Sequence, residues 1–153
     1  MSGATGADPA RVGVVLVGHG RTASELLAAA TGIVGSDALA GVVAVDAGPG
    51  ETPRLGAQLC GVIDQVDTGA GVLVLVDLWG ASPCSCAQRE AQAAEHRIVT
   101  LSGLNLAMLL KLAALDREAL DAEALAQRCA DSGRRAVQVK MPPSASARPE
   151  SPR

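Results

Sequence analysis

Four short runs of apolar, mostly β-branched residues mark the chain at regular intervals. Residues 12–17, 41–45 and 72–76 are almost continuously apolar, and a weaker fourth run covers residues 97–101. Each run is followed by glycine or other turn-forming residues. Unbroken apolar runs of this length are typical of parallel strands that helices cover on both faces. The pattern therefore predicts four buried parallel strands.

The segments between these runs have helical spacing, with apolar residues every three or four positions. The first segment shows it at Leu26, Ala30, Ile33 and Val34, and the second at Leu55, Leu59, Val62, Ile63 and Val66. Three more helices are predicted over residues 83–94, 105–115 and 121–132, the last with Gly133 as its C-cap.

Three helix starts carry capping chemistry. The segment from Thr22 to Glu25 fits a capping box, whereas Thr52 and Ser82 each precede a proline at the first helical position. Alternating strands and helices predict an α/β fold: a doubly wound, mostly parallel sheet with right-handed crossovers. A last short strand is expected over residues 136–140.

The domain is expected to cover residues 11–140. Residues 1–10 have no apolar segment of signal-peptide type, and residues 141–153 are rich in proline, serine and alanine. Both ends are predicted to be disordered. No run of about 18 uncharged apolar residues occurs, so neither membrane insertion nor secretion is expected, and we place the chain in the cytoplasm.

Composition excludes several classes of function. The chain has 153 residues, a formal charge of −3, and neither Phe nor Tyr. It therefore lacks the basic field and the stacking aromatics that nucleic-acid binding uses. The four cysteines, Cys60, Cys84, Cys86 and Cys129, lack the paired spacing of zinc or redox sites and are expected to be buried or half-buried thiols.

Ligand sites of open parallel sheets lie beyond the carboxyl ends of the strands. The segments to examine there begin with Gly18, Asp46, Asp77 and Ser102, and all four are polar and rich in glycine. His19 stands between two glycines in the first segment, directly before a helix start. An exposed imidazole at that place suits a phosphoryl group carried on a ring nitrogen. By itself, a histidine hydrogen-bonded in a loop is an equally good interpretation.

Asp77 favours the interpretation of His19 as a reactive residue, since a carboxylate at the end of an apolar strand is costly to bury without a partner. If the first and third strands are neighbours, Asp77 lies beside His19. It would then fix the imidazole tautomer and leave the other nitrogen free to attack phosphorus. The alternative is that the Asp77 carboxylate caps the loop backbone.

Other residues near the strand ends have two interpretations each. Ser82 is either the N-cap of the third predicted helix or a hydroxyl donor to a phosphoryl oxygen. Trp79 is either a contact for a partner protein or a half-buried packing residue, and Leu104 and Asn105 are weaker docking candidates. Arg21 and His96 are expected to be solvated surface residues.

One motif points to a different class of site. The segment from Gly18 to Ala23 matches the G-x-G-x-x-G/A dinucleotide fingerprint, and Asp46 stands where the ribose-binding acid would. The chain is short for a nicotinamide enzyme, and an imidazole within the fingerprint would crowd the pyrophosphate. A dinucleotide site is therefore the less favoured interpretation.

Four segments together resemble the IIA component of the mannose-type sugar phosphotransferase system, over residues 11–140. They read VLVGHGR around His19, VDAGPGE around Asp46, LVDLWGASP from Asp77 to Pro83, and GLNLAMLL from Gly103. The third resembles the family's Asp-x-aromatic-Gly-Gly-Ser-Pro element. The chain departs from the family pattern at Gly18, Ala81 and Cys84.

This resemblance implies a flavodoxin-like fold and a homodimer that exchanges its C-terminal strand, here residues 136–140. It implies that His19 accepts a phosphoryl group from the histidine-containing carrier HPr and passes it to a IIB protein or domain. Asp77 would orient His19, while Ser82 and backbone N–H groups such as that of Gly20 would hold the phosphoryl oxygens. No cofactor or metal is expected.

Two alternatives remain open at this point. A phosphoryl-donor subunit of a dihydroxyacetone kinase has a similar fold and histidine, although the segment from Asp77 to Pro83 resembles that branch less. A regulatory module that makes phosphorylation-dependent contacts would keep the same histidine site.

Overall fold

A computed structural model describes residues 8–49, 53–78 and 97–144. Four parallel strands form one sheet in the order β2-β1-β3-β4. Their bounds are Gly13–Gly18 for β1, Val43–Asp46 for β2, Val72–Val76 for β3 and Ile98–Ser102 for β4. All four predicted strands are confirmed to within two residues at either end. The order also places β1 beside β3, as in flavodoxin-like sheets.

The helices cover both faces of this sheet. Helices α1 (Thr22–Val34), α3 (Leu106–Ala113) and α4 (Ala122–Ala136) pack on one face, and α2 (Pro53–Val66) packs on the other. The doubly wound α/β prediction is therefore confirmed, whereas the predicted helix over 83–94 lies outside the described residues. Within the described ranges, no helix has both the length and the apolar character needed to cross a bilayer.

Alternating side chains of β1 and β3 supply the two halves of the core, because successive strand residues point to opposite faces. Val14 and Leu16 pack under α1, α3 and α4, whereas Val15 and Val17 pack under α2. All four side chains are fully buried. This two-sided burial explains why the strands read as continuous apolar runs.

The predicted capping box at the start of α1 is wrong. Thr22 is the first helical residue, and the N-cap position is Arg21, whose side chain makes no capping hydrogen bond. Instead, Asp46 at the end of β2 accepts the Ser24 main-chain N–H at 3.0 Å and the Ser24 hydroxyl at 2.5 Å. A residue distant in sequence takes the capping position because β2 lies directly beside β1.

Helix α4 starts as predicted, with the Asp121 side chain accepting the Ala124 N–H at 2.8 Å. Its predicted end at Gly133 is wrong, because the helix continues to Ala136. Gly133 serves instead at a close helix contact: a Cβ at this position would lie 2.5 Å from Cε of Met108.

The predicted strand over 136–140 is absent from the single chain that the structure describes. Ala136 ends α4, and residues 137–144 have no regular secondary structure. Residues 137–144 form no ladder with any strand of the described sheet. Exchange of this segment between subunits therefore stays a prediction. Disorder was predicted for residues 1–10 and 141–153. Most of both segments, residues 1–7 and 145–153, lies outside the described residues.

The two cysteines in the described ranges have the expected burial. Cys129 is buried and Cys60 is half-buried. Burial raises the pKa of Cys129 to about 11. Cys84 and Cys86 lie outside the described residues.

Candidate active site

The ends of β1 and β3 bring His19 and Asp77 together. Val17 of β1 pairs with Val76 of β3, so the residues that follow each strand leave the same edge of the sheet side by side. Nδ1 of His19 lies 3.2 Å from Oδ1 and 3.1 Å from Oδ2 of Asp77. The structure therefore confirms the prediction that Asp77 lies beside His19.

The contact with Asp77 determines which ring nitrogen of His19 carries the proton. An ionised carboxylate can only accept hydrogen bonds, so Nδ1 of His19 must be the donor. Nε2 of a neutral ring then keeps its lone pair. Since the His19 side chain is 39% exposed and that of Asp77 is 18% exposed, the imidazole is accessible while its partner is largely covered.

Asp77 also holds the loop backbone. Its Oδ2 accepts the main-chain N–H of His19 at 2.8 Å. The two interpretations of Asp77 from the sequence, ring partner and backbone cap, thus hold together. A single carboxylate fixes both the position of His19 and the orientation of its ring.

Gly20 has a different role from the one predicted. Its N–H donates to the Gly48 carbonyl at 2.7 Å, in an isolated antiparallel bridge between the loops after β1 and β2. Gly20 adopts φ +57°, a left-handed conformation that favours glycine. Because its N–H is already bonded, the structure argues against Gly20 as a phosphoryl-binding donor.

Asp46 is a site-forming residue that sequence reasoning assigned only to the less favoured dinucleotide site. Both of its carboxylate oxygens are engaged with Ser24, which places a negative charge at the N-terminus of α1, close to His19 in sequence. Asp46 therefore has a structural role at the start of α1 that the dinucleotide interpretation did not include. The signal in the sequence was a carboxylate at the end of the second apolar run, in one of the four loops at the carboxyl ends of the strands.

The residues proposed as docking contacts differ in their surroundings. Leu104 is only 8% exposed and packs in the core, so its assignment to a docking surface is wrong. Asn105 is the N-cap of α3, where its Oδ1 accepts the Met108 N–H at 3.1 Å. Trp79 and Ser82 lie outside the described residues. Leu78, which was not singled out, directly follows Asp77 and is 63% exposed.

Arg21 is an exposed residue at the start of α1, as expected. Its Nη2 pairs with Oε1 of Glu25 at 2.7 Å, one helical turn further on, and both side chains are well exposed.

His96, the other histidine of the chain, lies outside the described residues. In the three described ranges, no three side chains of His, Cys, Asp or Glu gather into a possible metal site.

The sequence of this chain is similar to those of known proteins. The family model described as "PTS system fructose IIA component" (EIIA-man, where PTS is the phosphotransferase system) matches residues 13–129. The chain is 35% identical over 105 residues to the "PTS system mannose-specific EIIAB component" of Escherichia coli strain K12, a match that covers 65% of this chain. It spans only 30% of the length of that relative.

Solved structures give the same picture. The "Mannose/sorbose specific IIA subunit of phosphotransferase system" from Enterococcus faecalis is 29% identical, with a TM-score of 0.73 over 89% of this chain and 99% of that one. The phosphotransferase system component EIIA from Streptococcus agalactiae, 22% identical with a TM-score of 0.73, shares the fold over 84% of this chain and 96% of its own. Since the family match covers most of the chain, from the first strand into the last helix, the protein belongs to the EIIA-man family of phosphotransferase-system IIA components.

Proposed function

We propose that this protein is a phosphocarrier of a sugar phosphotransferase system, with His19 as the residue that carries the phosphoryl group. The observation that supports this most directly is the His19–Asp77 pair. It presents an accessible imidazole at the switch point of the sheet, with the proton held on Nδ1 by a carboxylate. Asp77 is the residue that activates and orients His19.

The chemistry is a transfer between two imidazole nitrogens. The lone pair on Nε2 of His19 forms the new N–P bond while the donor's N–P bond breaks, and the electron pair of that bond returns to the donor nitrogen. Nδ1 keeps its proton throughout, and the positive charge that develops on the ring is stabilised by Asp77. The bond broken and the bond formed are of one type, so the protein contributes mainly positioning and electrostatics.

The phosphoryl oxygens need donors other than Gly20. Its N–H is occupied by Gly48, and Asp46 already takes the N–H of Ser24 at the start of α1. We therefore assign this role to the segment after β3, where Ser82 follows Asp77 by five positions. The Ser82 hydroxyl and the backbone N–H groups of that segment are the proposed donors, as the family resemblance implies.

HPr is the proposed donor and a IIB protein or domain the proposed acceptor. The name of the Escherichia coli relative, an EIIAB component, associates the IIA and IIB functions in one protein and supports that acceptor. Leu78, exposed next to Asp77, would be part of the docking surface together with Trp79. As the sequence predicts, we propose that this exchange takes place in the cytoplasm.

A homodimer with exchanged C-terminal strands is part of the same proposal. Beyond α4, apolar and polar side chains alternate, and Val137, Val139 and Met141 are between 74% and 83% exposed. Alternation of this kind is typical of a strand with one buried face.

Neither the dihydroxyacetone kinase subunit nor the regulatory module, the two alternative functions, is favoured by the family match or by the relatives.

The decisive experiment uses the two histidines of the chain as a matched pair. The purified protein is incubated with labelled phosphoenolpyruvate, enzyme I and HPr, and the acid-labile phosphate on the chain is measured. We expect label on the wild type and on His96→Ala and none on His19→Ala. Label on His19→Ala, or its loss in His96→Ala alone, would refute the assignment.

A further inference from the structure

A cavity lies at the opposite edge of the sheet from His19, where the strands begin. It has a volume of about 280 Å³, and its lining includes Gly13 and Val43, the first residues of β1 and β2. Two arginines, Arg11 and Arg117, also line it, together with Gln65 and Thr68. The amino-terminal edge of the sheet thus has a small cavity with two positively charged walls.

Hydrogen bonds hold the side chain of Arg117 and the backbone of Arg11. Nη2 of Arg117 donates to the Ala40 carbonyl, and Thr68 exchanges two hydrogen bonds with the backbone of Arg11. The Arg11 guanidinium lies against Gly41, where a Cβ would be only 2.5 Å from its Nη2. Two half-buried arginines therefore line one cavity, with the Arg117 guanidinium bonded to the backbone and the Arg11 guanidinium lying against Gly41.

The positive charge of this cavity is not compensated. In the described part of the chain, neither Arg11 nor Arg117 has a carboxylate within ion-pair distance. Burial, and then the positive charge of Arg11, lower the pKa of Arg117 from its usual range. Two carboxylates, Asp8 and Glu118, line an adjoining cavity that shares Arg11 and Thr68.

We propose that the cavity between Arg11 and Arg117 binds a phosphate group, presented by a small metabolite or as free phosphate. Guanidinium groups bind phosphate oxygens through paired N–H donors, and two of them match the two negative charges of a phosphate monoester. The volume is at the small end for ligand pockets, which restricts the organic part to a compact one.

This site is separate from the phosphoryl-transfer site. The six residues of β1 lie between them, and at about 3.3 Å per residue they span roughly 20 Å. We expect binding at the arginine cavity not to require phosphorylation at His19. A His19→Ala variant should bind the ligand as the wild type does.

The test is calorimetric titration of the full chain with inorganic phosphate and, separately, with glucose 6-phosphate. We expect saturable binding of at least one probe, weakened about tenfold or more in Arg11→Gln and Arg117→Gln, since a charged hydrogen bond is worth roughly 1.5–3 kcal/mol. Arg128→Gln, which removes the same charge from an exposed position on α4, should bind as the wild type does. Tighter binding of glucose 6-phosphate would assign a metabolite, and equal binding would assign the free ion.

Two further variants keep the test decisive. Arg117→Gln loses the bond to Ala40, so its fold is checked by circular dichroism, whereas the side chain of Arg11 makes no such bond in the described structure. Glu118→Gln should bind the probes as tightly as the wild type or more tightly, because it removes a competing anion. No saturable binding of either probe, or equal affinity in Arg11→Gln and Arg128→Gln, would overturn the proposal.

Discussion

Oδ2 of Asp77 lies 2.8 Å from the main-chain nitrogen of His19 and 3.1 Å from its Nδ1. One oxygen atom thus faces both the backbone and the ring of the same residue. The backbone contact fixes the loop after β1, and the ring contact fixes the imidazole in that loop. A substitution at Asp77 should therefore affect both the structure of the loop after β1 and the protonation and orientation of the His19 ring.

Asp77→Asn should separate the effect on the loop from the effect on the ring. The amide oxygen can still accept the His19 N–H, so the variant should fold, but the amide NH2 group can hold the wrong tautomer of the ring. Loss of the charge-assisted bond is worth roughly 1.5–3 kcal/mol, so phosphorylation by phospho-HPr should slow by at least about tenfold. Initial rates of acid-labile phosphate formation measure this. Asp64→Asn on the exposed side of α2 is the control, and a wild-type rate in Asp77→Asn would remove Asp77 from the mechanism.

Asp46→Ala should destabilise the protein by about 1 kcal/mol, the usual loss for a helix N-cap. It should also slow phosphorylation, because the start of α1 follows His19 directly. Asp121→Ala removes a comparable cap from α4 and is expected to cost similar stability without affecting the rate. Urea unfolding and the phosphorylation assay on both variants check this. Equal rates in the two variants would show that Asp46 acts on stability alone.

Two glycine substitutions should have opposite effects on stability. A Cβ at Gly13 would lie 2.4 Å from the Val66 carbonyl oxygen, a main-chain atom that cannot move without displacing α2. We expect Gly13→Ala to lose roughly 1–3 kcal/mol. At Gly61 in α2 a Cβ meets open space, so Gly61→Ala should gain about 0.5–1 kcal/mol. Denaturant midpoints of both variants test the packing of α2 on β1, and a neutral Gly13→Ala would contradict it.

Cys129 should be nearly unreactive in the folded protein. Its pKa is raised from 9.0 to about 11, chiefly by burial, so the thiolate fraction at pH 8 is lower by roughly a hundredfold than that of a free thiol. Alkylation followed site by site with mass spectrometry should show reaction of Cys129 only on unfolding. Rapid labelling of Cys129 in the native protein would contradict this.

The same pKa shift affects stability at high pH. The folded state retains the Cys129 proton above pH 9, where the unfolded chain loses it, so the free energy of unfolding should fall as the pH rises from about 9 to 11. Cys129→Ala should lose this contribution to the pH dependence, although it is less stable overall. Chemical unfolding at several pH values compares the two slopes.

The C-terminal segment gives a matched pair for the proposed dimer. Val139 lies in the apolar set of alternating side chains, and Gln138 lies in the polar set. Val139→Asp should shift the protein towards the monomer, because a buried carboxylate without a partner is costly. Gln138→Asp should leave the assembly unchanged. Light scattering coupled to size-exclusion chromatography measures both, and a monomeric wild type would refute the dimer.

Much of the fold could be read from local patterns. The four apolar runs gave the strands to within two residues, since side chains buried on both faces leave a continuous signal. Asp121 and Asn105 were found at helix starts because N-capping depends on a few neighbouring residues. The end of α4 was missed: glycine at position 133 resembles a C-cap, and only its contact with Met108 in another helix explains why it lies inside the helix.

By itself, the sequence determined the alternation of strands and helices and the chemical character of the loops that follow the strands, including a histidine and a carboxylate 58 positions apart. Tertiary structure decided which of those groups meet. The order β2-β1-β3-β4 brings Asp77 to the ring of His19, Asp46 to the start of α1 and Gly48 to the N–H of Gly20. Hydrogen bonds are satisfied by whichever group lies within about 3 Å, and only the packed sheet determines which groups those are.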